Sequence, residues 1–151
     1  MKNLLFTTLV LFTLTTATTY AQTTAKAIKP AVFAKLPSNI KATEAQLNKF
    51  FAAARGQAVS ASFDNSLSVS GDVLNNTVKY GQLQSVVIRL SNYQGSVLSI
   101  SKRLDENNQP VYMAHIINNN SADGYRLKKT IDGYQFEKFK MEDILLECAQ
   151  N

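Results

Sequence analysis

The sequence predicts an α+β domain in which an amphipathic helix packs on a six- to seven-stranded antiparallel meander sheet, followed by a short C-terminal helix. Three observations lead to this fold class: apolar residues at helical spacing over residues 44–55, alternating apolar and polar residues from residue 58 onward, and turn residues between the alternating runs. A small closed β-barrel built from the same strands is the alternative arrangement.

The helix is predicted by a start signal and by an apolar stripe. Thr43 and Gln46 form a capping box, in which each side chain accepts a hydrogen bond from the backbone of the other residue. Gly56 suits the left-handed position that ends a helix. The stripe must be buried, and only the sheet can cover it. Its residues are Leu47, Phe50, Phe51 and Ala54.

The strands are predicted from side chains that alternate between two faces. Residues 83–90 are the most strand-like run, because Val86, Val87 and Ile88 are consecutive β-branched residues. Alternation places Val86, Ile88 and Leu90 on the face that we expect to contact the helix. The remaining runs cover residues 58–63, 67–73, 97–104, 111–117, 125–131 and 134–139, and residues 141–148 form the C-terminal helix.

The last two runs meet at Asp132-Gly133, the strongest hairpin signal in the chain. A two-residue turn there pairs Ile131 with Tyr134 and gives the hairpin one face that mixes aromatic and basic side chains. Lysines on this face would discourage another strand from adding to the sheet edge. They would also suit an exposed recognition surface for an anionic glycan, lipid or protein, made of Tyr125, Lys129, Tyr134, Phe136, Lys138 and Lys140.

Residues 1–21 resemble a bacterial Sec-type signal peptide, since a lysine precedes an apolar run over residues 4–14 and small residues lead to a cleavage site after Ala21. The apolar run rises roughly 16 Å as a helix, about half of a hydrocarbon core, so we expect no transmembrane span. The predicted fate is export to the periplasm or the extracellular space. Residues 22–42 are predicted to be a poorly ordered segment, and residues 43–151 a single domain.

The charge balance is mildly basic, with 16 Lys and Arg against 11 Asp and Glu, and the predicted leader removes only Lys2 from it. This balance permits contact with an envelope protein or an anionic polymer. No block of like charges is long enough to form a nucleic-acid-binding tail, so no nucleic-acid partner is predicted. Cys148 is the single cysteine, which allows either a monomer or a Cys148-linked dimer.

Residue types that carry catalysis are few and scattered. His115, the single histidine, alternates with Val111, Met113 and Ile117, so we expect it in the core or at a sheet edge. No metal-ligand spacing, nucleophile elbow or pair of facing carboxylates is evident. The sequence therefore predicts no catalytic residue, no metal site and no cofactor.

The leading hypothesis is an exported, non-catalytic binding or interaction module. Two alternatives stay open: a small secreted hydrolase, and an inhibitor or prodomain-like partner of an exported enzyme. A hydrolase requires a cleft with converging polar groups, and a binding module requires an exposed apolar patch beside charges. An inhibitor requires an ordered protruding loop, for which residues 118–124 are the candidate.

Overall fold

The computed structural model describes residues 29–143. Its elements, in chain order, are β1 (Asn39–Ala42), α1 (Glu44–Ala52), β2 (Ala58–Phe63), β3 (Leu67–Lys79), β4 (Leu83–Leu90), β5 (Ser96–Leu104), β6 (Pro110–Asn118), β7 (Asp123–Thr130) and β8 (Gly133–Lys140). A helical turn begins at Met141 and is described as far as Asp143. The predicted leader and the rest of the predicted C-terminal helix, with Cys148, lie outside the described residues. No helix within residues 29–143 is long and apolar enough to cross a membrane.

The strands form one antiparallel sheet in the order β1-β8-β7-β6-β5-β4-β3-β2. Strands β2 to β8 are an uninterrupted meander, in which each strand pairs with the next one along the chain. Strand β1 pairs with β8, with Ile40 opposite Phe136. The sheet curls into a half-barrel, so that its two edge strands, β1 and β2, approach each other.

The predicted fold class, a helix packed on a six- to seven-stranded sheet, is wrong. The described chain is mostly an eight-stranded curled sheet, and helix accounts for only about a tenth of it. Each strand of the meander carries one apolar face, and curling lets these faces cover one another without a layer of helices. The strand that the prediction missed is β1, whose four residues are too few to show alternation.

Helix α1 connects the two edge strands and lies inside the curl of the sheet. The capping box is formed: Thr43 N donates to Gln46 Oε1 at 2.8 Å, and Gln46 N donates to Thr43 Oγ1 at 3.3 Å. Gln46 Nε2 also donates to the carbonyl oxygen of Ser62 at 2.6 Å, which ties the first turn of the helix to β2. The buried residues of the helix are Leu47, Phe50 and Phe51.

The helix ends at Ala52, earlier than the end predicted at Gly56. A side chain from the sheet satisfies its last turn, since Asn76 Nδ2 donates to the carbonyl oxygen of Phe51 at 3.2 Å. Asn76 can face inward because a bulge at Leu74 shifts the pairing of β3 with β4 by one residue. Such a shift moves every following side chain to the other face of the strand.

The core lies on the concave side of the sheet. Aromatic rings connect the helix to the edge strand β2 and to β8, which lies next to the other edge, with centroid distances of 6.2 Å between Phe50 and Phe63 and 5.0 Å between Phe63 and Phe136. Burying each phenylalanine stabilises the fold by about 1.5–3 kcal/mol, so this row of rings holds the two edges of the half-barrel together. The buried residues of β4, the most strand-like run, are Val86, Ile88 and Leu90.

Residues 29–38, here called the strap, lie against one end of the half-barrel. Phe33 of the strap is fully buried, with its ring 5.1 Å from that of Tyr93 and 5.6 Å from that of Tyr125. Of the segment predicted to be poorly ordered, residues 22–42, the described part consists of the strap and β1. The buried Phe33 ring offsets part of the entropy cost of ordering the backbone around it.

Candidate functional site

The β7–β8 hairpin, which carries the predicted recognition surface, turns earlier than expected. Ile131 and Asp132 form the turn, and the pairing places Lys129 opposite Tyr134 and Tyr125 opposite Lys138. This register differs by two residues from the predicted one. A shift of two keeps each side chain on its predicted face, so the mixed aromatic and basic face exists as expected.

That mixed face is the concave, core-facing side of the sheet. Tyr125, Tyr134 and Phe136 are 0%, 3% and 0% exposed, so none of the three rings contributes to a surface. The Tyr125 hydroxyl donates to the carbonyl oxygen of Pro37 at 2.5 Å, and burial raises the pKa of Tyr125 to about 12. The hydroxyl oxygen of Tyr134 accepts a hydrogen bond from the backbone of Tyr112 at 3.2 Å.

The three lysines of the predicted surface lie in three different places. Lys138 is half-buried and holds the strap, donating from Nζ to the carbonyl oxygens of Phe33 at 2.7 Å and Leu36 at 2.5 Å. Lys140 is exposed near the strap, and Lys129 is exposed near the hairpin turn. Of the residues in the predicted surface, Lys138 and Tyr125 are brought together, with the Lys138 Nζ atom 5.8 Å from the centroid of the Tyr125 ring. Lys129 and Lys140 lie apart from this pair. Ligand binding by this set stays a prediction.

The convex face of the same hairpin is polar. Glu137 accepts hydrogen bonds from Lys128 and, at 3.2 Å, from Arg126 Nε. The hydrogen bond from Lys128 and the two positive charges hold the pKa of Glu137 below its usual range. His115 lies opposite Ser99 and Arg126 on this face and is exposed, so its predicted position in the core or at a sheet edge is wrong. Alternation identified its face but not which face would be buried.

A hydrolase would need converging polar groups, and a shallow groove of about 240 Å³ lies beside β2 and β3. Ser60, Ser70, Asp72 and Ser91 lie along it. A nucleophilic serine needs a neighbouring base, yet His115 is on β6, three strands from β3, or roughly 14 Å away at the usual strand spacing. Residues 29–143 also contain no group of three or more side chains arranged to hold a metal ion.

A feature that the sequence reasoning missed lies where three hairpins end together. In a meander, alternate turns share one end of the sheet, so the β3–β4, β5–β6 and β7–β8 turns lie side by side. We call this end the hairpin-tip face and define it as residues 78–83, 102–110 and 128–133. Neighbouring strands are about 4.8 Å apart, so successive tips are separated by roughly 10 Å.

Large apolar side chains protrude from each of these tips. Val78, Tyr80, Leu104 and Ile131 are 61%, 92%, 40% and 105% exposed, and they make up four of the six large hydrophobic side chains that are exposed among the described residues. A cation is close in sequence to each tip: Lys79 precedes Tyr80, Arg103 precedes Leu104, and Lys129 is two residues before Ile131. The usable sequence signal was an apolar residue inside a turn, as in Tyr80-Gly81 and Ile131-Asp132.

Register and electrostatics confirm that the tips are neighbours. The pairing aligns Lys79 with Leu83, Leu83 with Arg103, and Arg103 with Val111, so the first two tips end at the same height. Hydrogen bonds from the backbone of Gln109 and Asn107 hold the pKa of Asp105 below its usual range, and the charges of Lys129 and Arg103 lower it further. Lys129 of the third tip is thus close enough to act on the second.

The charge of the hairpin-tip face is positive overall. Its five cations are Lys79, Lys102, Arg103, Lys128 and Lys129, and its three carboxylates are Asp105, Glu106 and Asp132. Asp105 is directed into its own loop, where Oδ1 accepts from the backbone of Asn107 at 2.8 Å and of Gln109 at 2.9 Å. These hydrogen bonds fix the conformation of the loop, which begins directly after Leu104.

The opposite end of the half-barrel differs from the hairpin-tip face in the composition of its turns. Its turns are rich in Ser and Asn, and residues 118–124, the predicted inhibitory loop, are held down by the strap. Asp123 Oδ1 accepts hydrogen bonds from Ser121 Oγ at 2.6 Å and from the backbone of Phe33 at 3.2 Å, and all three residues are buried. This loop does not protrude, so the inhibitory role predicted for it gains no support from its geometry.

Comparisons with protein-family models, with curated proteins and with solved structures found no match for this chain.

Proposed function

We propose that this chain is an exported, non-catalytic binding domain that holds an anionic partner at its hairpin-tip face. One observation carries the proposal: apolar side chains are exposed on three alternate hairpins of the meander, each close to a lysine or an arginine. Clusters of exposed apolar side chains beside charges are typical of interaction sites. The cations attract an anionic partner, and the apolar tips retain it once it has arrived.

The contrast between the two ends of the half-barrel supports this choice of face. The hairpin-tip face has Tyr80 and Ile131 almost completely exposed, whereas the aromatic residue in a turn at the other end, Tyr93, packs on Phe33. Exposed apolar side chains gain nothing from folding, so three such tips on one face indicate a use that lies outside the domain. In this scheme the domain acts as a monomer, and residues 29–143 give no support to the Cys148-linked dimer.

Binding to anionic probes tests the proposal. The probes are heparin and vesicles that contain phosphatidylglycerol, each compared with a neutral counterpart at low and high salt. The triple variant Lys79→Ser, Arg103→Ser, Lys129→Ser should lose binding to whichever anionic probe the wild-type protein binds. We expect a loss of at least about a hundredfold, since each cation near an anionic surface contributes about 1 kcal/mol.

A matched variant controls for net charge. Lys29→Ser, Lys35→Ser, Lys140→Ser removes the same number of cations from the strap end, where all three residues are exposed. It should bind as the wild-type protein does. Equal losses in the two triple variants, or a wild-type protein that binds neither anionic probe, would rule out the hairpin-tip face as a site for anionic partners.

The β5–β6 loop favours a second candidate function, an inhibitor or prodomain-like partner of an exported enzyme. Residues 105–109 protrude in a fixed shape, because the Asp105 side chain binds two backbone N–H groups and the backbone of Asp105 and Gln109 pairs at 2.9 Å. A preorganised loop suits insertion into an active-site cleft. Assays against exported proteases of the producing cell should show inhibition that Asp105→Ala weakens about tenfold. Unchanged inhibition by that variant would exclude this loop.

A further inference from the structure

We infer that the anionic partner of the hairpin-tip face is a phospholipid bilayer with anionic headgroups, which rests on the binding role proposed above. In this arrangement Ile131 and Tyr80 enter the boundary between headgroups and acyl chains. Lys79, Arg103 and Lys129 lie one step farther from the bilayer centre and contact the phosphates. Three features of this face favour a bilayer: the shape of the tips, the order of residues along the hairpins, and the charge balance.

The shape of the tips suits a fluid partner. Ile131 and Tyr80 are 105% and 92% exposed, so they project from the surface instead of lining a pocket. A folded protein would need three preformed pockets with matching spacing, whereas a bilayer closes around any side chain that enters it. Glycans are commonly held on several aromatic rings, but Tyr80 is the one aromatic ring among the large exposed hydrophobics of residues 29–143.

The order of residues along two of the hairpins matches the layers of a bilayer. In the β3–β4 and β7–β8 hairpins a cation stands on the strand, and the apolar residue follows it toward the tip, in Lys79-Tyr80 and from Lys129 to Ile131. The β5–β6 hairpin differs, because the polar residues 105–109 extend beyond Leu104, and it contacts headgroups only. A tip that points into the membrane therefore places its apolar side chain below its own cation. Tyrosine favours this interfacial depth, because its ring is apolar and its hydroxyl remains near water.

The charge of the hairpin-tip face determines which lipids it should bind. Five cations of the hairpin-tip face outnumber its three carboxylates, Asp105, Glu106 and Asp132. The carboxylates reduce the attraction, and Lys128 is also paired with Glu137. We therefore expect weak binding to neutral bilayers and binding that rises steeply with the anionic lipid content. High salt should weaken it, because the attraction is screened over about 10 Å at moderate ionic strength.

The chain contains no tryptophan, so a single introduced tryptophan is an unambiguous reporter of depth. The full-length variant Ile131→Trp is mixed with vesicles of phosphatidylglycerol and phosphatidylcholine in equal parts. Its emission should shift to shorter wavelength and be quenched by lipids with brominated acyl chains. Gln94→Trp, in an exposed turn at the opposite end, is the matched control and should show neither effect.

Two further variants separate the apolar and the electrostatic contributions. Ile131→Ser should reduce vesicle affinity about tenfold, since it removes one buried aliphatic side chain from the membrane. Lys129→Ser should reduce it about fivefold at low salt and much less at high salt. Both residues are exposed, so thermal unfolding should be unchanged and loss of folding would not explain the result.

The outcomes distinguish this inference from the binding role on which it rests. Binding to heparin or to vesicles without a spectral shift of Ile131→Trp would leave the proposed function standing and overturn membrane insertion. Equal shifts in the Ile131→Trp and Gln94→Trp variants would overturn the assignment to this face. Absence of binding to both heparin and anionic vesicles would overturn the proposed function as well.

Discussion

Gly71 of β3 lies directly against the backbone of β4, and its missing side chain allows this close approach. A Cβ atom at this position would lie 2.0 Å from the carbonyl oxygen of Arg89, far inside contact distance. The obstructing atom belongs to the backbone of a paired strand, which cannot turn aside as the end of a side chain can. Even one methyl group would therefore force the two strands apart.

We predict that Gly71→Ala destabilises the fold by about 3 kcal/mol, measured by urea denaturation at equilibrium. Gly81→Ala is the control, because a Cβ there meets nothing within 4 Å and only its positive φ of 67° opposes the change. That variant should lose about 1 kcal/mol. Similar losses in the two variants would contradict the close approach of β3 and β4.

At the scale of elements, the strap depends on one lysine. Lys138 is on β8, and its ammonium group donates to the carbonyl oxygens of Phe33 and Leu36 while its stem crosses the ring of Tyr125. These carbonyl groups belong to a segment without regular secondary structure, so no strand or helix partner satisfies them. Lys138 therefore donates hydrogen bonds that the backbone N–H groups of a neighbouring strand would otherwise donate to these carbonyl groups.

We predict that Lys138→Met destabilises the protein by about 2 kcal/mol, because it keeps the apolar stem and removes hydrogen bonds from a charged donor. Hydrogen exchange should accelerate in residues 29–38 before it does in the meander. Lys140→Met, at an exposed position on the same strand, should change stability by less than about 0.5 kcal/mol. Unchanged exchange in the strap of Lys138→Met would show that its other contacts, the buried Phe33 ring and the hydrogen bonds with Tyr125 and Asp123, hold it without the lysine.

For the whole molecule, the sequence could predict which residues share a face, and in β4 also which face is buried, but not which face of the β7–β8 hairpin turns inward. The β7–β8 hairpin shows this limit, since its aromatic and basic face was correctly composed and yet forms part of the core. Its lysines tolerate that position because Lys129 and Lys140 are near the ends of the strands and Lys138 has carbonyl partners. The curl of the sheet decides which face of each strand is buried, and local sequence patterns carry no information about that curl.

The candidate site was hidden for the same reason. The turn signal at Asp132-Gly133 located one of the three hairpins, and the alternating runs predicted the meander. Ile131 was counted with a strand, because alternation does not reveal where a strand stops. Only the pairing register shows that Tyr80 and Ile131 project beyond the last ladder bonds and that the tips lie together.

The pairing of β1 with β8 has a consequence for the order of events during synthesis. Strand β1 is made before the meander, but its partner, with Phe136 opposite Ile40, is the last strand to leave the ribosome. The sheet edge and the strap can therefore reach their final positions only when β8 is available. Pairings between distant parts of a chain slow folding. Strands β2 to β7 pair with one another without β1 or β8, so closure of the β1 edge is expected to be the last step of folding, and it should be the step that truncation of β8 abolishes.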